Sequence, residues 1–518
     1  TAWQLASTPK DMVNEVGTPL FPEAALTNDL RYGFNRAKLS WYQIDLSFGR
    51  GAIESSNAAR SNYYAQAFNE RQIFPNRQSF TGNVTLQTFD LSYYPTEKGP
   101  YNFETTGSQY SAGMDENGKL KEPETRWGGV MRDSPYNDFE ASNVEFIDFW
   151  VLDPFIYPEQ QDNDGELYIQ LGNISEDILK DSRQFYENGL PAPDEVAYLD
   201  ETAWGLVPKI RPVTFAFNND VAARAIQDVG LDGLPDDSEN GLSERDHFAD
   251  YLAELDAMRA SGLLSQAVYD SMALDPANDN FIHFRDEYFS DAANLDGIPE
   301  SQRLLYRYKN FSNPDGNSPA TGTSSFTTSA TNFPEMEELN QDQALNDAEQ
   351  YFQYRIKLQP DMEVGETPYL VEYRDADVRS DITANETDEK VRWYHFRVPV
   401  REPTEVIGDV SFRNISFMRM VLTDFEEPVI CRFARFDLVR NTWRRYNPLI
   451  VEDGEYLAND VPASTFFNLS ALSFEENGGR QPIPYAIPPG IEREVTATGT
   501  TAQNLLQNEQ ALTVQVGD

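Results

Sequence analysis

The sequence predicts a mainly β fold with a helical insertion: an α+β chain built on jelly-roll-like β-sandwich domains, two in number. Three observations predict it. Apolar residues alternate at period two in several well-separated runs, the pattern of half-buried strands. One passage reads strand, acidic loop, strand, as in a sandwich. In the middle of the chain the apolar period changes from two to 3.6. At 518 residues the chain exceeds one ordinary core. Its 40% hydrophobic and 13% aromatic content is enough to pack globular domains rather than stay disordered.

Residues 1–25 read as an irregular lead-in and 26–195 as a first β-sandwich-like domain. Within it, 36–45 and 84–93 alternate as strands, and the two prolines Pro95 and Pro100 mark a turn over 95–100. The run 144–151 (VEFIDFWV) is rich in aromatic and β-branched residues. A loop over 158–165 and a second run, 166–172 (ELYIQLG), follow it. Ser175, followed by Glu176 and Asp177, has the form of a helix N-cap and predicts a short helix there.

Residues 196–345 form a mixed region. From Ser243 the spacing of Phe248, Tyr251, Leu252, Leu255 and Met258 predicts an amphipathic helix. Gly262 closes it, and a second helix carries Leu264, Val268 and Met272. Residues 316–331, rich in Ser, Thr and Gly, read as a linker or long loop, and 335–349 as a third helical segment. Residues 346–448 form a second β-sandwich-like domain, with strands at 351–358, 369–373, 391–400, 410–422 and 429–439. The proline-containing tail, 449–518, reads as irregular. No short tandem repeat occurs, although the two β blocks resemble each other loosely.

With 85 Asp+Glu against 41 Lys+Arg the net charge is −44. Such a surface repels phosphate backbones and argues against nucleic acid as a partner. No window approaches the ~18 apolar residues of a membrane-spanning helix. The first residue is Thr1 and no signal peptide opens the chain, as expected of a processed or excised piece. Cys431 is the single cysteine, so no intrachain disulfide forms; its strand-like setting reads as a small buried hydrophobe rather than a reactive thiol.

The search for chemistry returns little. His247, His283 and His395 are far apart and lack metal-ligand spacing. Nucleotide-binding glycine loops and the serine-hydrolase elbow are missing. Asp148, near Trp150, and Glu145 could imitate the acid pair of a jelly-roll glycosidase, but no compact acid pattern stands out from so acidic a background. Two loops have oxygen-ligand spacing suited to calcium. Asp162 and Asp164 flank Asn163 before Gly165 and Glu166, while Asp228, Asp232 and Asp236 recur every four residues around glycines. Acidic surface turns are the plainer reading of both. No catalytic residue and no certain cofactor follow from the sequence.

Longer strings carry more information. They are 129–133 (GVMRD), 143–150 (NVEFIDFW), 170–177 (QLGNISED), 227–234 (QDVGLDGL), 275–280 (DPANDN), 412–420 (FRNISFMRM) and 436–444 (FDLVRNTWR). In this order they resemble the SprA/Sov family of gliding-motility and cell-surface proteins, over about residues 26–447. That resemblance implies a very large outer-membrane β-barrel, the translocon of the type 9 secretion system of Bacteroidetes, through which folded cargo leaves the periplasm. The present chain lacks the many barrel strands, so it would be an extramembrane insertion, a cap at the extracellular face; a periplasmic position is the alternative. The implied partners are the barrel of the same polypeptide, secreted cargo, a PorV-like outer-membrane shuttle protein and a periplasmic plug protein. No catalysis is implied. A carbohydrate-binding jelly-roll module at the cell surface is the competing function: a row of exposed coplanar rings would favour it, and buried rings a scaffold.

Overall fold

The computed structural model describes residues 3–14, 16–49, 56–75, 84–186, 198–210, 248–311, 336–379 and 386–440, and short segments at 449–452, 455–457, 466–473, 486, 495–497, 504–506 and 510–517. It divides into two units, Thr1–Arg440 and Asn441–Asp518.

The strands of the first unit are, in chain order, β1 (Gln4–Leu5), β2 (Ala37–Tyr42), β3 (Phe89–Lys98), β4 (Trp127–Asp133), β5 (Val144–Leu152), β6 (Gly165–Asn173), β7 (Leu199–Glu201), β8 (Leu206–Pro208), β9 (Gln350–Leu358), β10 (Leu370–Arg379), β11 (Glu386–Pro399), β12 (Glu405–Ile407), β13 (Phe417–Thr423) and β14 (Val429–Arg440). Two six-stranded antiparallel sheets hold twelve of them, in the orders β1-β4-β13-β6-β9-β12 and β10-β11-β5-β14-β3-β2, while β7 pairs with β8 alone. The mainly β, sandwich-like expectation therefore holds.

The division into two successive sandwiches does not. Each sheet draws strands from both β blocks. β13 lies between β4 and β6, and β5 lies between β11 and β14. One apolar core joins them: Ile147 and Phe149 of β5, Leu167 and Ile169 of β6, Tyr354 and Ile356 of β9, Phe396 of β11, Met420 of β13 and Phe433 of β14 are all buried in it. Cys431 lies in the same core, and burial pushes its thiol up to about 12, as befits a packing residue.

The outer faces are covered too. The lead-in brings Met12 and Phe21 onto Trp127, Tyr351 and Phe417 of the first sheet. Phe48, Phe68, Ile73 and Tyr308 cover Trp150 and Trp393 of the second. This is why all seven residues of β13 are buried instead of alternating.

The helical hairpin is present at Ala249–Ala260 and Gln266–Leu274; its expected start at Ser243 lies outside the described residues. Gly262, at φ +77°, ends the first helix, with its own N–H donating to Arg259 and that of Leu263 to Met258. Phe248, Tyr251, Leu255 and Met258 pack against Phe103 and Trp204, away from the inter-sheet core.

Other expectations are corrected. No turn interrupts 95–98: β3 runs to Lys98, because Pro95 falls beyond the pairing with β14 and inside a bulge, where the β2 register jumps from Lys38↔Tyr94 to Ala37↔Lys98. Ser175 caps no helix; its hydroxyl accepts the Asp177 N–H in a local turn. The described part of 335–349 is irregular, not helical. The buried Glu176 carboxylate takes the backbone N–H groups of Leu339, Asn340 and Asn346, an arrangement that replaces helix bonds. Strand structure begins at Phe417, not Val410, because 410–416 crosses between elements.

The second unit is not wholly irregular. It holds three antiparallel pairs: β15 (Leu449–Glu452) with β16 (Glu455–Leu457), β17 (Phe466–Ser473) with β20 (Gln510–Gly517), and β18 (Val495–Ala497) with β19 (Asn504–Leu506). Residues 316–331 and Trp443 lie outside the described residues, as does the proline-containing run 481–490 apart from Ala486.

Candidate functional site

Of the acids expected to hold calcium, Asp228, Asp232 and Asp236 lie outside the described residues. Asp162 and Asp164 are not part of the group of three close carboxylates found among the described residues. Asp164 pairs with Lys357 at 2.7 Å, and Glu166, buried at the start of β6, takes a forked pair from Arg355. Asn163 faces inward, its amide bonded both ways to the Glu427 backbone. Gly165 is glycine because a Cβ there would lie 2.4 Å from the Phe425 ring. Lys357, Arg355 and internal packing thus engage residues 163–166 of this loop.

Asp148 sits on the outer face of β5. It accepts from His395 Nε2 at 2.7 Å and from Arg397 Nε at 2.8 Å. Partial burial pushes its carboxyl up, but these two donors outweigh burial and hold it below the usual carboxylate range. An acid held ionised is a poor proton donor, and the half-buried Glu145 is not among its partners. Trp150 is buried, stacked on His395 at 4.5 Å. His283 is half-buried against Phe284, and His247 lies outside the described residues.

A cavity of about 420 Å³ opens between the hairpin and the 275–282 segment. Lys98 lines it, its ammonium donating to the Tyr251 hydroxyl at 2.7 Å; burial pulls the lysine down to about 7. The segment is pinned there by Asn278, whose amide donates to the Lys98 and Gly99 carbonyls.

A different set of carboxylates does converge. Asp177 and Asp181 follow β6, and Glu337 comes from the far side of the mixed region. One oxygen from each lies within 4.8 Å of the other two, and all three residues are buried. Isolated backbone pairing of Phe185 with Met336, and the Glu337 N–H donating to Gln184 at 3.0 Å, hold the two segments together. The Glu337 carboxylate in turn accepts the Ile178 N–H at 2.6 Å. Asp177 takes the N–H groups of Asp181 and Ser182, each at 3.0 Å. Burial first, and then the neighbouring carboxylates of Asp177 and Asp181, push Glu337 well above the usual range. Asp181 rises to about 6 and Asp177 moves in the same direction. In the sequence Asp177 stood out only as an acid following Ser175, and nothing there pointed to Asp181 or Glu337 as its partners.

A family described as motility related/secretion protein, SprA_N, matches residues 250–518, just over half the chain. The chain belongs to the SprA_N family. Membership places it among motility- and secretion-related proteins, in agreement with the resemblance read from the strings. The matched portion of this SprA_N chain begins in the hairpin and takes in β9–β14 and the second unit. The strings at 129–133, 143–150 and 170–177 lie before it, yet they supply β4, β5 and β6, the partners of β13, β14 and β9. No curated protein matches the chain. Among the described residues no helix is long and apolar enough to cross a membrane.

Proposed function

We propose that this SprA_N chain is an extramembrane module of a type 9 secretion translocon, a cap that shapes or gates the exit of folded cargo across the outer membrane, and that it acts by position rather than by catalysis. The observation that carries the reading is the family match over residues 250–518. Three features support it. We read the central strand orders, β3-β14-β5-β11 and β4-β13-β6-β9, as those of a jelly roll, a rigid scaffold closed without disulfides. The tryptophans at 3, 127, 150, 204 and 393 are buried, so they serve packing and offer no platform for sugar rings; this counts against the carbohydrate-binding alternative. A net charge of −44 keeps such a module off anionic headgroups and limits non-specific association with passing chains.

On this reading the module belongs to the cell envelope, at the extracellular face of the outer membrane. Its partners are the barrel of its own polypeptide, secreted cargo, and other secretion components such as a PorV-like shuttle and a plug protein. Deleting residues 26–447 from the parent protein tests it. With the barrel assembled, secretion changes or the outer membrane leaks large solutes; normal secretion together with normal permeability overturns the cap.

A further inference from the structure

Three buried carboxylates within 4.8 Å of one another need compensation. An uncompensated buried charge costs several kcal/mol, roughly, and close like charges add to that. Ion pairs compensate other buried acids in this protein: Arg126 answers Glu104 at 2.5 Å and Arg419 answers Glu349 at 2.9 Å. Among the described residues no lysine, arginine or histidine comes within ion-pair distance of Asp177, Asp181 or Glu337. Lys180 reaches Asp347 instead, and Arg183 reaches Asp200. Lys180, Arg183 and Arg36 act on Asp177, Asp181 and Glu337 through space without pairing to them, and Arg36 Nη2 donates to the carbonyls of Ala6 and Ile178.

A second observation concerns Glu337 itself. Its side chain is 0% exposed, and its Oε1 has no hydrogen-bond partner while Oε2 holds Ile178. A fully buried, unpartnered carboxylate oxygen beside two more carboxylates is an unusual arrangement, since buried polar atoms are ordinarily satisfied.

We propose that Asp177, Asp181 and Glu337 bind a divalent cation of the hard, oxygen-seeking class, with calcium the best match. The donor set is all carboxylate, without the nitrogen or sulfur that softer metals favour. Oxygens that share one calcium at ~2.3–2.6 Å lie no more than about 5 Å apart, which suits the observed convergence. Asp177 oxygens that accept backbone N–H groups keep a second lone pair for the ion.

The position of the site gives it a purpose. Ile178 and Glu337 meet 159 residues apart in sequence. An ion there fastens the two ends of the mixed region, hairpin included, at its base. Closing so long a loop with a metal clip removes freedom from the unfolded chain as a disulfide would, in a protein whose single cysteine cannot form one. This inference does not depend on the cap reading.

The test uses the whole chain, stripped with EDTA and dialysed, then titrated with calcium chloride and, separately, magnesium chloride. Isothermal titration should show one saturable calcium site, and the melting temperature should rise with calcium by several degrees and less with magnesium. Asp181→Asn and Glu337→Gln should each weaken calcium binding at least tenfold, while Asp164→Asn, in the acidic loop, leaves it intact. Circular dichroism checks that each variant folds, and two variants guard against one failing to do so. No saturable site in the wild type, a response that survives both cluster variants, or a response lost in Asp164→Asn alone overturns the proposal.

Discussion

Arg419 has no water to turn to. It lies mid-strand in β13 with a fully buried side chain, and its guanidinium is satisfied on every side. It grips Glu349 through both terminal nitrogens, Gln170 through Nε at 2.5 Å, and the Ser7 hydroxyl at 3.1 Å. One side chain thus ties the lead-in, β6 and the residue that leads into β9 to the middle of a sheet. Removing one partner of a buried pair leaves the other charged and unpaired, which typically costs about 3–5 kcal/mol. We therefore expect Arg419→Met to destabilise the first unit by about that amount in chemical denaturation. Arg419→Met combined with Glu349→Leu should recover much of the loss. A double variant no more stable than the single would show that the hydrogen bonds to Ser7 and Gln170, not the ion pair, carry the effect. None of this was legible in the sequence, where Arg419 is one residue of an apolar run and Glu349 one acid among 85.

At the scale of elements, the hairpin shows local rules at work. Ser265 caps the second helix by accepting the Val268 N–H at 3.3 Å, and Gly262 supplies the left-handed turn between the helices. A Cβ on Gly262 would meet nothing within 4 Å, so a substitution there is opposed by backbone conformation alone. Gly262→Ala should lower stability by about 1 kcal/mol, read as a fall in melting temperature, with helicity unchanged by far-ultraviolet circular dichroism. An unchanged melting temperature would mean that the hairpin opens independently of the cooperative unit. Local rules also mislead. Ser175-Glu176-Asp177 has the form of a helix start, and the run of acids and apolar residues before Gln350 has helical composition. In both places buried carboxylates take backbone N–H groups, and the bonds from Leu339 to Glu176 and from Ile178 to Glu337 join segments distant in the chain.

At the scale of the molecule, the interleaving of strands sets the cooperative unit. β5 pairs with β11 and β14, and β6 pairs with β9 and β13, so neither β block can complete a sheet alone. A fragment of residues 1–195 should consequently be unfolded or aggregated, with no near-ultraviolet signal from its tryptophans, whereas residues 1–440 should melt in one transition. A folded, monomeric 1–195 fragment would restore the reading of two successive sandwiches. The same interleaving explains why the candidate cation site could not be read from spacing. Its third carboxylate arrives from the far end of the mixed region, while Asp164 and Glu166 of the 162–166 loop are answered by Lys357 and Arg355 from the neighbouring β9.

The sequence by itself determined the β class, the placement of most long strands, the helical hairpin, the packing role of Cys431 and the family. These follow from periodicity, turn chemistry and ordered strings, which are properties of residues close together in the chain. Tertiary structure alone decided that the two β blocks are one body, that Pro95 sits inside a strand and that Arg419 is a buried hub. It also decided that Glu337 meets Asp177 and Asp181. Each of those depends on which distant strand lies alongside, and the choice among strand pairings is made by burial of the shared core, a free energy that no local pattern contains.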